Sequence, residues 1–135
     1  MRQHGLRPVS KSARKVLELL VDGLDEPGAS KKLDNAQGAF MAVCVERIEE
    51  TSRGPVYSVA HYYEQNGDLV PDPDVTMLCG ADGEFYPLSY QDGRVYRLSV
   101  ELGPDSSARV NREWRTDLVH FVGGWMRNIK AQQGL

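Results

Sequence analysis

A chain of 135 residues is the size of one ordinary domain, and 41% apolar against 26% charged residues excludes the apolar-poor composition of a disordered chain. No apolar run approaches the roughly 18 to 20 residues that a membrane span requires, and MRQHGLRPVSKSARK has no apolar core behind its basic residues, so a cytoplasmic protein without a membrane partner is expected. The net charge is −3, with seven basic against four acidic residues over 1–32, four against thirteen over 33–108 and five against two over 109–135, so neither basic flank by itself makes a nucleic-acid groove.

After a flexible leader over 1–9, Ser10 can cap a helix running to about Leu20 or Gly23, because Ala13, Val16, Leu17, Leu20 and Leu24 recur at spacings of three and four. Pro27 cannot continue it, and Gly28 is free to turn left-handed. From Phe40 onward the period becomes two. Five strands are predicted, at about 39–49, 56–64, 74–79, 84–90 and 94–102.

The turns between them carry Asn-Gly or Asp-Gly pairs three times, which predicts successive antiparallel hairpins. The first strand is apolar on both sides, with Phe40, Ala42 and Cys44 opposed by Met41, Val43 and Val45, and should be central or covered on both faces. Pro87 has no donor for a ladder, so the fourth strand should lie at an edge or bulge there. The fifth alternates Tyr96, Leu98, Val100 and Leu102 against Arg97, Ser99 and Glu101, the pattern of a sheet with one wet face.

GPDSSARVN reads as a loop, with Asn111 placed to cap a long final helix. Trp114, Leu118, Phe121, Val122, Trp125 and Ile129 form one apolar stripe along it. Gly123 and Gly124 inside this helix imply a close approach to the sheet. The expected fold is a single α+β domain, an antiparallel meander sheet of about five strands packed by an N-terminal helix and a long C-terminal helix.

HYYEQNGDLVPDPDV, from His61 to Val75, and the terminal Trp125-x-x-Asn128-x-Lys130-x-Gln132 spacing resemble two blocks shared by an uncharacterised family of small bacterial domains from plasmids, integrative elements and phages. The resemblance covers about residues 39–134 and implies a mobile-element context without implying any chemistry.

Residue by residue, the first block reads mainly as a turn. Asn66-Gly67 reverses the chain, Asp68 can accept its backbone donors, and Pro71 and Pro73 stiffen the way into the next strand. Asp68, Asp72 and Asp74 lack the alternation, central Gly and terminal Glu of a calcium loop, and no metal or cofactor is expected. His61 with Glu64 or Glu46 would make an acid–base pair only with help from a neighbouring strand, since His61 and Glu64 alternate across a strand. A Cys44–His61 nucleophile pair on adjacent strands is a weaker alternative, because apolar surroundings disfavour a thiolate at Cys44 and equally at Cys79. His120 lies off the apolar stripe, and His4 sits in the leader.

The expectation is therefore a non-enzymatic protein-binding or adaptor domain, with His61, Tyr63, Glu64, Asn66, Asp68, Asp72 and Asp74 as candidate binding residues, together with an acidic sheet face. Two alternatives stand beside it: a small hydrolase or transferase using His61, and an acidic decoy for a nucleic-acid-binding protein. Direct nucleic-acid binding is not expected. Exposed sheet edges leave a homodimer open.

Overall fold

The computed structural model describes residues 5–104 and 107–135. Helix α1 spans Lys11–Val21, and the Ser10 hydroxyl accepts the Ala13 N–H at its start, supplying the cap that the sequence promised. Its carbonyl end is closed by Lys31, whose Nζ donates to the Leu19 and Asp22 carbonyl oxygens at 3.1 and 2.8 Å, a cation where the helix dipole favours one. Gly23 and Gly28, both at positive φ, release the chain into the sheet.

Six strands follow: β1 Ser30–Leu33, β2 Val43–Thr51, β3 Gly54–Gln65, β4 Asp68–Cys79, β5 Phe85–Gln91 and β6 Tyr96–Leu98. They lie side by side in chain order and pair antiparallel throughout. A second, two-stranded ribbon joins β7 Val100–Leu102 to β8 Ala108–Val110, and helix α2 Arg112–Gln133 ends the chain. Asn111 caps α2 by accepting the Trp114 N–H at 3.0 Å, and Gly134 closes it in the left-handed conformation.

The sheet carries apolar residues on both faces. On one face Val45, Val59, Val75 and Met77 share a cluster with Leu17 and Leu20 of α1 and with Leu118, Val122, Trp125, Met126 and Ile129 of α2. On the other, Val56, Leu78, Tyr86 and Leu88 pack with Val100, Leu102 and Val110 of the ribbon and with Leu6. Burying each large side chain in these clusters contributes roughly 1.5–3 kcal/mol. Val9 is buried too, and its N–H reaches the Phe85 carbonyl at 2.9 Å, so the described part of the leader lies against the domain.

Several expectations need correction. The 94–102 strand is two strands. At buried Ser99 the N–H donates to the Leu88 carbonyl while the carbonyl accepts from Asn111, and the chain passes from the sheet to the ribbon. Val100 is buried, but Tyr96 and Leu98 are 60% and 38% exposed, because a period of two records alternation and not which sheet a residue joins. The loop GPDSSARVN contains β8, and Ser30–Leu33 adds an edge strand whose SKKL sequence has no apolar alternation to betray it. Phe40 and Met41 precede β2 and are exposed, so the doubly apolar start lies outside the strand. Pro87 lies in an internal strand, and the ladder shifts register opposite it, at Thr76/Met77, as the bulge alternative requires.

Two glycines show what backbone freedom does here. A Cβ on Gly54, at φ +135° in the β2–β3 turn, would meet the Cys79 carbonyl oxygen at 2.2 Å, so only Gly fits. A Cβ on Gly123 would meet nothing within 4 Å, so the close approach expected of the helical glycines does not occur there. Gly123→Ala should therefore raise stability by up to about 1 kcal/mol, whereas Gly54→Ala should lower it by more than about 2 kcal/mol. Urea unfolding of the two variants separates these outcomes, and a destabilising Gly123→Ala would contradict the open space.

Candidate functional site

The candidate residues of the first block are divided among two faces and a tip. β3 and β4 form a long hairpin in which Tyr62 pairs with Pro71, Tyr63 with Val70, Glu64 with Leu69 and Gln65 with Asp68. Asn66, at φ +53°, and Gly67 make the turn, and Tyr63, Glu64, Asn66 and Asp68 are exposed. Between the Ala60–Asp74 and Tyr62–Pro71 pairs the register shifts, with His61 facing a stretch of β4 that includes the cis Asp72–Pro73 peptide.

His61 turns to the helical side and is 6% exposed. Its ring meets Trp125 edge-on at 5.5 Å between centroids, and the indole N–H donates to Nδ1 at 3.4 Å. Accepting at Nδ1 leaves the imidazole proton on Nε2, which is buried without a partner. Burial holds the His61 pKa below its usual value, and the Asp72 charge opposes this only in part.

Of the three partners proposed for His61, Glu64 is exposed near the hairpin end opposite Leu69, and the other two fail on strand geometry. Glu46 pairs with Ser58, and Cys44 with Ala60, on the face away from the helices, which separates both from His61 by the thickness of the sheet. Asp72 is the carboxylate whose charge reaches the ring. A histidine sealed under an indole presents no nitrogen to a substrate, so the acid–base reading of His61 has no geometric support.

Away from the helices lies an open face. A cavity of about 430 Å³ is bounded by Lys32, Phe40, Cys44, Tyr62 and Leu69, where the 34–42 segment meets the hairpin. Gln133 at the end of α2 holds that segment: its Oε1 accepts the Asn35 N–H at 2.7 Å and its Nε2 donates to the Met41 carbonyl at 3.3 Å. A second hollow of about 300 Å³ continues past Glu46 and Ser58. Leu69 is 71% and Phe40 49% exposed, large apolar side chains facing water at the edge of a concavity. Sequence reasoning missed Phe40 and Tyr62 by treating both as strand interior, and missed Leu69, the one large aliphatic residue within QNGDLVPDPD, by attending to the carboxylates.

The electrostatics of this face do not activate a nucleophile. Burial pushes the Cys44 thiol up, Lys32 offsetting only part of it, so Cys44 stays protonated near neutral pH. Tyr62 is likewise raised, by burial first and by the Asp74 charge second. Asp74 is raised by burial although the Ser58 hydroxyl donates to it at 2.6 Å. The thiol of Cys79 is raised too, by burial. Among the described residues no group of three His, Cys, Asp or Glu side chains gathers as metal ligands.

The exposed carboxylates do not form one sheet of charge. Glu46 and Glu49 share the open face with Ser58 and Val56, Asp68 is at the hairpin tip, and Asp72 faces the His61 side. A separate concavity of about 290 Å³ lies where β6 meets α2, with Arg97 over the half-buried Trp114 ring at 5.6 Å and Tyr90 donating to Asp92 at 3.1 Å.

Residues 12–135 match the family model described as a domain of unknown function, DUF6908. The chain belongs to that family. The DUF6908 match includes every strand, all of α2 and α1 apart from its first residue, so the open-face cavity is built wholly from family-domain residues. No curated protein and no solved structure matches the chain. No helix among the described residues is long and apolar enough to cross a membrane.

The His61 environment makes stability depend on pH. Because the folded state holds the His61 pKa below 6.5, the unfolded chain binds the proton first, and stability rises with pH in that interval. The contribution should be complete above about pH 6.5 and be lost as pH falls from there toward the folded pKa. Thermal melts between about pH 7.5 and 5.5 should show a falling Tm that is flatter in His61→Leu. An equal fall in both proteins would remove His61 as the cause.

Proposed function

We propose that this DUF6908 domain is a non-enzymatic protein-binding module whose partner sits on the open sheet face, between the 34–42 segment and the β3–β4 hairpin. The observation that carries this reading is the pair of exposed apolar side chains, Leu69 and Phe40, bounding a cavity of about 430 Å³. Covering what remains exposed of two such side chains contributes roughly 1–2 kcal/mol each, enough to anchor a modest interface. Glu64 and Asp68 at the hairpin end supply a polar, acidic rim, which suits a partner presenting apolar side chains flanked by basic ones.

Tyr63 and the Asp72 carboxylate approach from the other side of the hairpin and would be touched only by a partner that wraps its tip. The resemblance of the HYYEQNGD block supports an adaptor carried in the bacterial cytoplasm by a plasmid, integrative element or phage. The raised thiol pKa of Cys44 and the sealed ring of His61 support a binding role over a catalytic one.

The test is affinity capture from the bacterial host with the wild-type chain and with Phe40→Ser/Leu69→Ser, whose substitutions lie at exposed positions and should leave the fold intact by circular dichroism. Any protein held by the wild type should be reduced at least ~10-fold by the double variant, in keeping with the loss of two apolar anchors, and be unaffected by Tyr96→Ser on β6. Equal retention by the double variant would overturn the assignment of this face.

A further inference from the structure

The two basic ends of the chain, each modest in sequence, meet in space. α1 and α2 pack against one another, and a groove of about 780 Å³ runs between them. Lys11 and Lys15 of α1 and Arg127 and Lys130 of α2 stand along it, with Val16 and Leu19 at its apolar part and Leu135 with its terminal carboxylate at its edge, and no lining side chain is acidic. Lys11, Lys15 and Leu19 follow one another at intervals of four on a single helix row.

None of the four cations takes part in an ion pair among the described residues, although neighbouring Arg14 pairs with Glu84 at 3.0 Å. Glu18, the acidic residue of α1, does not line the groove, and its charge acts on Cys79 of the sheet. The carboxylates of α2, Glu113 and Asp117, lie toward its N-terminal end, and Asp117 lines the separate hollow beside Trp114. Like charges four apart on a helix repel, and neither Lys11 nor Lys15 has an ion-pair partner among the described residues.

Leu19 decides the kind of partner. It is 57% exposed, a large apolar side chain among unpaired cations. A nucleic-acid backbone would satisfy the cations and leave the exposed Leu19 with nothing to pack on. An acidic protein segment bearing an apolar side chain satisfies both at once.

We propose that the α1–α2 groove docks an acidic, leucine-bearing segment of a partner protein, its carboxylates on the four cations and its apolar side chain on Leu19 and Val16, in the manner of a helix laid in a groove. The groove belongs to the helical layer, on the other side of the sheet from the face proposed above. The two surfaces therefore stand or fall separately.

Fluorescence anisotropy with the full chain tests this with three labelled probes: a synthetic amphipathic peptide of Glu and Leu, the same peptide with Ala for Leu, and a short DNA duplex. The Glu/Leu peptide should bind at least ~10-fold more tightly than the Glu/Ala one, the difference made by burying leucine, and added salt should weaken it. Lys15→Glu/Lys130→Glu should abolish binding, and Leu19→Ser should remove the preference for Leu while leaving the residual charge-driven binding. Both variants change exposed positions, and circular dichroism verifies their fold. DNA binding as tight as that of the Glu/Leu peptide, unchanged binding by the charge variant, or no peptide binding at low salt would each overturn the proposal.

Discussion

Trp125, Met126 and Ile129 are buried from α2 in the cluster that also holds Val59, Val75 and Met77 of the sheet, and this burial of one helix stripe on one sheet face positions the other features of the molecule. It brings the indole of Trp125 onto His61, taking the one histidine of the hairpin out of solvent. It sets the C-terminal half of α2 alongside α1, where the two helices form the basic groove. It also carries Gln133 to Asn35 and Met41, tying down the segment from which Phe40 faces the open cavity. Non-directional apolar contact thereby places the polar and exposed groups, and the hydrogen bonds refine what packing has already fixed.

Charge and shape divide between the two sides of the sheet. The helical layer gathers cations contributed by the two ends of the chain, while the middle of the chain, with thirteen acidic residues against four basic ones, supplies the strands and turns. A domain of net charge −3 thus carries a groove lined by cations and a hairpin end bearing carboxylates. Net charge describes solubility and long-range steering, and the local sign at each concavity decides what docks there.

Much of the fold was legible in the sequence because its signals are local. Ser10 and Asn111 cap the helices they precede, since a cap needs only the backbone donors two or three residues on. Asn66-Gly67 forms the β3–β4 turn, since its conformation is set by those two residues. The elements that escaped lack such signals. Ser30–Leu33 becomes a strand because the edge of β2 offers it a ladder, and Ala108–Val110 because Val100–Leu102 does. At the candidate site the Asn66-Gly67 turn was legible, but the burial of His61 toward the helices, beside Asp72 and away from Asp68 at the tip, follows from a register shift between Ala60 and Tyr62 that no local signal marks.

Two helices, a run of antiparallel hairpins and the turn that ends the longest of them are readable from the residue order, because each rests on periodicity or on residues a few positions apart. Packing across the chain is what makes Ser99 divide one alternating segment between two sheets, sets Leu69 and Phe40 beside the same cavity, and brings Lys15 and Lys130 to the same groove. Those relations join residues tens of positions apart, and their free energy appears only when packing has closed the intervening chain.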